Sequence, residues 1–123
     1  MIIIGDNFVP FENISFISSI DDIKNTKANS TLIFFYDAEL LKYSYENDLS
    51  SAVIVTSITE DIYCNSLNAK YIISDKHLAI QIQKIADNYM YDSKNLVIIN
   101  SNEEFDHIAK DEIDGVIYRD LIK

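Results

Sequence analysis

Ala52-Val-Ile-Val-Thr-Ser57-Ile-Thr-Glu60, completed by Tyr71-Ile-Ile-Ser-Asp75, whose last residue stands 18 positions after Ser57, is the stretch that decides how this chain folds. A short run of β-branched residues with no polar alternation is what a strand buried on both faces looks like, as in a parallel sheet. The Ser that closes the run, with an acid three residues later, is a capping box: the hydroxyl accepts a free N–H of a first helical turn and the acid reaches back. The 18 residues to the end of the next apolar run leave room for about three helical turns and a return loop. One βαβ unit is written in 24 residues.

Two further copies align with it without gaps. Ile14 leads through Ser19-Ile-Asp-Asp22 to Leu32-Ile-Phe-Phe-Tyr-Asp37, and Leu96 leads through Ser101-Asn-Glu-Glu104 to Val116-Ile-Tyr-Arg119. The linkers also read as helices. Ala38–Leu49 carries Leu41 and Tyr45 four apart, and Lys76–Tyr91 sets Leu78, Ile82, Ile85 and Tyr89 on one face, with Lys76, Gln83, Lys84 and Asp87 largely opposite. With Ile2–Ile4 in front, the chain reads as seven strands alternating with five helices. The expected architecture is one α/β domain over residues 1–123, a mostly parallel sheet with helices on both faces, of the flavodoxin or receiver type. The alternative is half of a (βα)8 barrel, to which Ile113-Asp-Gly-Val-Ile117 is similar and which would need to dimerise to cover its open edges. One join is short: nine residues including Pro10 separate Ile4 from Ile14, so the first strand is expected to lie apart, to run antiparallel, or to lack a helix.

Composition excludes several classes. The 123 residues hold 20 acids against 10 bases, a net charge of −10, with Arg119 the only arginine. Phosphate backbones and anionic membrane surfaces are recognised by clustered Lys and Arg, so neither nucleic acid nor membrane is an expected partner. No apolar run approaches the roughly 20 residues that span a bilayer. A lone Cys64 forms no internal bridge, no basic-flanked leader is present, and the expected location is the cytoplasm.

In open parallel sheets ligands sit beyond the carboxyl ends of the strands. That rim carries Asp6, Asp37, Thr56, Asp75, Lys76 and His77. His77 is the best placed general base on it, and two carboxylates, Asp6 and Asp37, are of the type that holds a hard cation such as Mg²⁺. Asp and Ser at such junctions also serve as helix caps. Metal-binding His/Cys spacing and glycine-rich phosphate loops are absent from the sequence.

Four landmarks together resemble a two-component receiver domain: Ile2-Ile-Ile-Gly-Asp6-Asn7, Leu32-Ile-Phe-Phe-Tyr-Asp37, Val53-Ile-Val-Thr56-Ser57 and Asn68-Ala-Lys-Tyr-Ile-Ile-Ser-Asp-Lys76. The resemblance implies Asp6 as a Mg²⁺ acid, Asp37 as phospho-acceptor, Thr56 as switch and Lys76 as phosphate contact. The chain departs from that family at Gly5, where an acid is usual, and in the two strands that follow Tyr89.

The leading functional expectation is a non-enzymatic regulatory or interaction module that binds a protein partner. Tyr43, Tyr45, Tyr89 and Tyr91 on the linking helices are the kind of anchor that interfaces use. A Mg²⁺-dependent phospho-acceptor or small-ligand site on the rim is the second expectation, and a small enzyme of unknown reaction the third.

Overall fold

The computed structural model describes residues Met1–Lys123. Seven strands, β1 (Ile2–Ile4), β2 (Ile14–Phe16), β3 (Thr31–Phe35), β4 (Ser51–Ile54), β5 (Tyr71–Ser74), β6 (Lys94–Ile99) and β7 (Gly115–Tyr118), form one sheet in the order β1-β7-β6-β5-β4-β3-β2. Every neighbouring pair is parallel. Helices α1 (Ala38–Glu46), α2 (Ile58–Ser66), α3 (Lys76–Asn88) and α4 (Phe105–Lys110) lie in the crossovers, with short 3-10 turns at Ile20–Asn25, Asn102–Glu104 and Arg119–Leu121.

The α/β architecture of repeated βαβ units is the one the repeats imply, and of the two expected arrangements the half-barrel describes it. From β2 to β7 each strand is added beside its predecessor in one direction. Right-handed crossovers then place every helix on the same side, so the expected cover on both faces is corrected. Packing follows this geometry. Leu40, Leu41, Cys64 and Ile82 of the helices join Leu32, Phe34, Val53 and Ile72 of the strands in one buried cluster, and Ala79 and Ile108 join Val97, Ile99 and Val116 in another. The other face holds Ile4, Ile33, Ala52, Ile54, Tyr71, Ile73, Leu96 and Ile117, all buried although no helix reaches them. The sheet covers this face by curling upon itself, with Leu121 and Ile122 of the last turn packed against it. A fully buried Ile or Leu contributes about 1.5–3 kcal/mol, so neither layer is dispensable.

The likeness to a receiver domain extends to a parallel sheet with helices and not to its strand order. In the order 2-1-3-4-5 the first strand lies beside the third. Here β1 lies apart, pairing only with β7 through Ile2↔Gly115, Ile3↔Val116 and Ile4↔Ile117. The nine residues Gly5–Asn13 carry the chain from the carboxyl end of β1 to the start of β2 at the opposite edge. Glu12 pins that connection: its carboxylate accepts from Thr31 Oγ1 at 2.6 Å, Lys70 Nζ at 2.7 Å and Tyr71 Oη at 2.5 Å. Burial raises the Glu12 pKa, but these three donors outweigh it and hold the carboxyl below the usual range.

The repeat is exact at its junctions. Asp22, Glu60 and Glu104 each accept the N–H four residues back, from Ser18 at 2.8 Å, Thr56 at 2.9 Å and Asn100 at 2.7 Å. The intervening helices start on Asp37 and Asp75, which cap α1 and α3. In the first repeat the expected helix is only the 3-10 turn Ile20–Asn25, because Asp21, Asp22, Asn25 and Thr26 favour turns over helix interiors. In α3 the buried stripe is Ala79, Ile82, Gln83 and Ala86. Gln83, expected on the outer face, is inside because its amide bonds Asn95, Asp87 and Asp114.

All four α-helices end alike, on a residue with positive φ: Asp48, Asn68, Met90 and Glu112. The residue after each returns its N–H to the helix, as Ile113 does to Ile108 at 3.4 Å. Only glycine adopts that conformation without cost. Glu112→Gly is therefore expected to stabilise the protein by about 1 kcal/mol and raise Tm by about 3–5 °C, read by thermal melting; an unchanged or lower Tm would contradict the left-handed cap.

Candidate functional site

Each rim residue is placed by the element it ends or begins. Asp37 Oδ1 accepts from Glu39 N at 2.9 Å and Leu40 N at 3.1 Å, and Asp75 Oδ1 accepts from Leu78 N at 3.0 Å. Thr56 bonds Glu60 through both its N–H and its hydroxyl. Lys76 and His77 are exposed in the first turn of α3, and His77 meets only Gln81, at 3.3 Å. Strand order brings Asp37, Thr56, Asp75, Lys76 and His77 onto three consecutive strand ends. Asp6 is elsewhere, because β7, β6, β5 and β4 stand between β1 and β3.

Both Asp6 oxygens are engaged. Oδ1 accepts from Tyr118 Oη at 2.7 Å and Oδ2 from Phe8 N at 2.8 Å and Val9 N at 3.2 Å, and these bonds, Tyr118 first, lower its pKa. The Tyr118 hydroxyl is correspondingly pushed up to about 12. No group of three or more His, Cys, Asp or Glu converges as a metal cage would require. What Asp6, Asp37, Thr56 and Asp75 do here is organise turns and helix starts. Cys64 is fully buried in α2, and burial pushes its thiol up to about 12, the environment of an inert apolar filler.

A different surface stands out where α2 and α3 end. The two helices pack against one another and run the same way, so their carboxyl ends lie together. Between them is a groove of about 360 Å³ lined by Ile62, Asn65, Ser66, Ile85, Tyr89 and Tyr91. Of its lining residues Ile62 is 49% and Tyr89 77% exposed, and Met90, next to Tyr89 in the chain, is 84% exposed. Contiguous apolar exposure of this sort is uncommon on a chain with no partner. Of the four tyrosines singled out in the sequence, Tyr89 and Tyr91 meet here, while Tyr43 and Tyr45 are on α1.

The groove is electrically negative. Neither helix has a basic residue in its last turn to offset the negative end of its dipole. Behind it lies Asp61, 0% exposed, on the turn of α2 that also presents Ile62. Tyr91 Oη donates to Asp61 Oδ2 at 3.1 Å, while Oδ1 has no partner. The two ion pairs of the protein, Lys70–Glu12 and Lys110–Asp106, are both elsewhere. Burial raises the Asp61 pKa to about 6, against which the Tyr91 bond acts weakly. Burial, and then the charge of Asp61, in turn raise the Tyr91 hydroxyl.

Sequence reasoning passed over Asp61. Its signal was available: in α2 it shares the inward face with Cys64, at i, i+3, where an acid is out of place.

The fold and this surface define an α/β protein with a singly wound parallel half-barrel and an apolar groove between two helices. No family model matches the sequence, and no curated protein matches it. No helix is long and apolar enough to cross a membrane.

Proposed function

We propose that this protein is a non-enzymatic interaction module that binds another protein at the groove between the carboxyl ends of α2 and α3. The observation that carries this reading is the exposure of Ile62 and Tyr89, with Met90 following, at a groove lined mostly by apolar and aromatic side chains. Aromatic side chains with few rotatable bonds anchor interfaces at low entropic cost, and binding energy concentrates in such clusters. On the rim, by contrast, Asp6, Asp37, Thr56 and Asp75 are engaged in caps and turns, which leaves Lys76 and His77 without a free carboxylate beside them for acyl-phosphate chemistry.

The test is selection from a displayed library of helical peptides randomised on their outer face, with a doubly substituted Ile62→Glu, Tyr89→Glu protein as counter-target. Both positions are exposed, so the variant is expected to keep its Tm. Peptides that bind the native protein and lose at least tenfold in affinity for the variant support the reading. An absence of binders, or binders indifferent to the two substitutions, overturns it.

A further inference from the structure

We propose that the occupant of the α2–α3 groove is a segment bearing a Lys or Arg among its apolar anchors, and that this cation is received by the hydroxyl of Tyr91 with the carboxylate of Asp61 behind it. The proposal rests on the reading of the groove as a docking surface and adds the chemistry of the partner.

Three observations converge on a cation. The first is the orphan carboxylate. A buried acid with one oxygen bonded to a neutral hydroxyl and the other to nothing is an uncompensated charge, which folded proteins avoid unless something arrives to offset it. The second is Tyr91 itself, whose ring lines the groove while its hydroxyl proton is given to Asp61. That leaves the lone pairs of Oη to accept, and a hydroxyl already donating to a carboxylate is a stronger acceptor. The third is the surrounding field, set by two uncompensated helix ends and a net charge of −10. A second copy of this chain would bring the same negative field to the groove, so a basic segment of another protein is the better fit.

The groove suits the rest of such a side chain. Lys and Arg carry an aliphatic stem that packs on apolar surface while the head seeks a polar partner. Ile62, Ile85 and Tyr89 supply that surface, and Tyr91 the end point. Asp61 is then a positioning residue, acting on the partner through Tyr91. Besides burial, Asp61 feels only the Tyr91 bond, and the other groups acting on Tyr91 are Cys64 of α2 and Tyr89 at the end of α3. None of them is a base, so no group of the protein substitutes for the partner's cation.

The experiment compares peptides selected as above on the native protein at pH 7.5 with those selected on Asp61→Asn, which keeps an acceptor for Tyr91. The native protein is expected to enrich Lys or Arg at one fixed position beside the apolar anchors. Replacing that residue by norleucine should weaken binding about tenfold, the size of a charge-assisted hydrogen bond. In Asp61→Asn the apolar anchors should persist and the tenfold preference vanish, and in the native protein the preference should shrink at pH 5, where Asp61 is protonated. Groove binders with no fixed cation, or an Asp61→Asn protein that keeps the preference, overturn the proposal while leaving the docking surface intact. Binders indifferent to Ile62→Glu, Tyr89→Glu remove both.

Discussion

Asp61→Asn is expected to stabilise the free protein by about 3 kcal/mol at pH 8 and by about half of that at pH 5. An acid whose folded pKa is about 6 rather than the ordinary 3.8 is harder to ionise in the folded chain than in the unfolded one. The folded state therefore binds the proton more tightly. Stability is fully present below pH 3.8, declines as pH rises from about 4 to 6, and is lower by about 3 kcal/mol above that window. Asparagine carries no charge at any pH and accepts the same bond from Tyr91. Its extra N–H group subtracts a constant, so the difference between the two pH values is the quantity to measure. Urea denaturation at pH 8 and pH 5 supplies it. An effect that is equal at both pH values would show that the carboxylate is not held in an unfavourable environment.

The expected gain also bears on function. Replacing one acid by its amide strengthens the fold, yet the groove proposal has the same change abolish the preference for a cationic partner. Opposed effects of that kind mark residues kept for binding rather than for stability.

Gly115→Ala is expected to act in the opposite direction, destabilising by about 3 kcal/mol or more and lowering Tm by about 10 °C. A β-carbon at Gly115 would stand 2.4 Å from the Ile2 carbonyl oxygen, 2.6 Å from Ile2 Cβ and 2.9 Å from Leu96 Cδ2. The first of these is backbone of β1, paired in register with Gly115, and cannot rotate aside. Either β1 leaves the sheet or β6 and β7 shift. Hydrogen exchange at Ile2, whose N–H bonds the Asp114 carbonyl at 2.9 Å, distinguishes the two outcomes. A Gly115→Ala chain as stable as the native one would mean that β1 does not approach this closely.

Much of this fold is legible in the residues because its rules are local. Ser19, Ser57 and Ser101 with their acids announce helix starts, and Leu32–Phe35 or Val53–Val55 announce buried strands. Strand order is not local. Whether β1 lies beside β3 or β7 depends on Gly115 offering a gap and on Ile2, Ile3 and Ile4 fitting it, a fact spread over both ends of the chain. The same limit applies to the site. Asp6, Asp37, Asp75 and the rest could be placed on the rim from sequence, but their engagement in caps and in the Tyr118 bond is a matter of geometry. Asp61 and Tyr91 are 30 positions apart, and only the packing of α2 on α3 makes them one unit.

The pairing of β1 with β7 also fixes an order of events during synthesis. Each strand from β3 to β7 can dock on a neighbour made just before it, but β1 is made first and its only partner lies more than a hundred positions later. At roughly 5–20 residues per second, the nascent chain holds Ile2-Ile-Ile4 without a partner for on the order of ten seconds. The pairing of β1 with β7 thus joins the earliest strand of this sheet to the latest. Throughout that interval the unpaired β1 is a ready template for pairing with another chain.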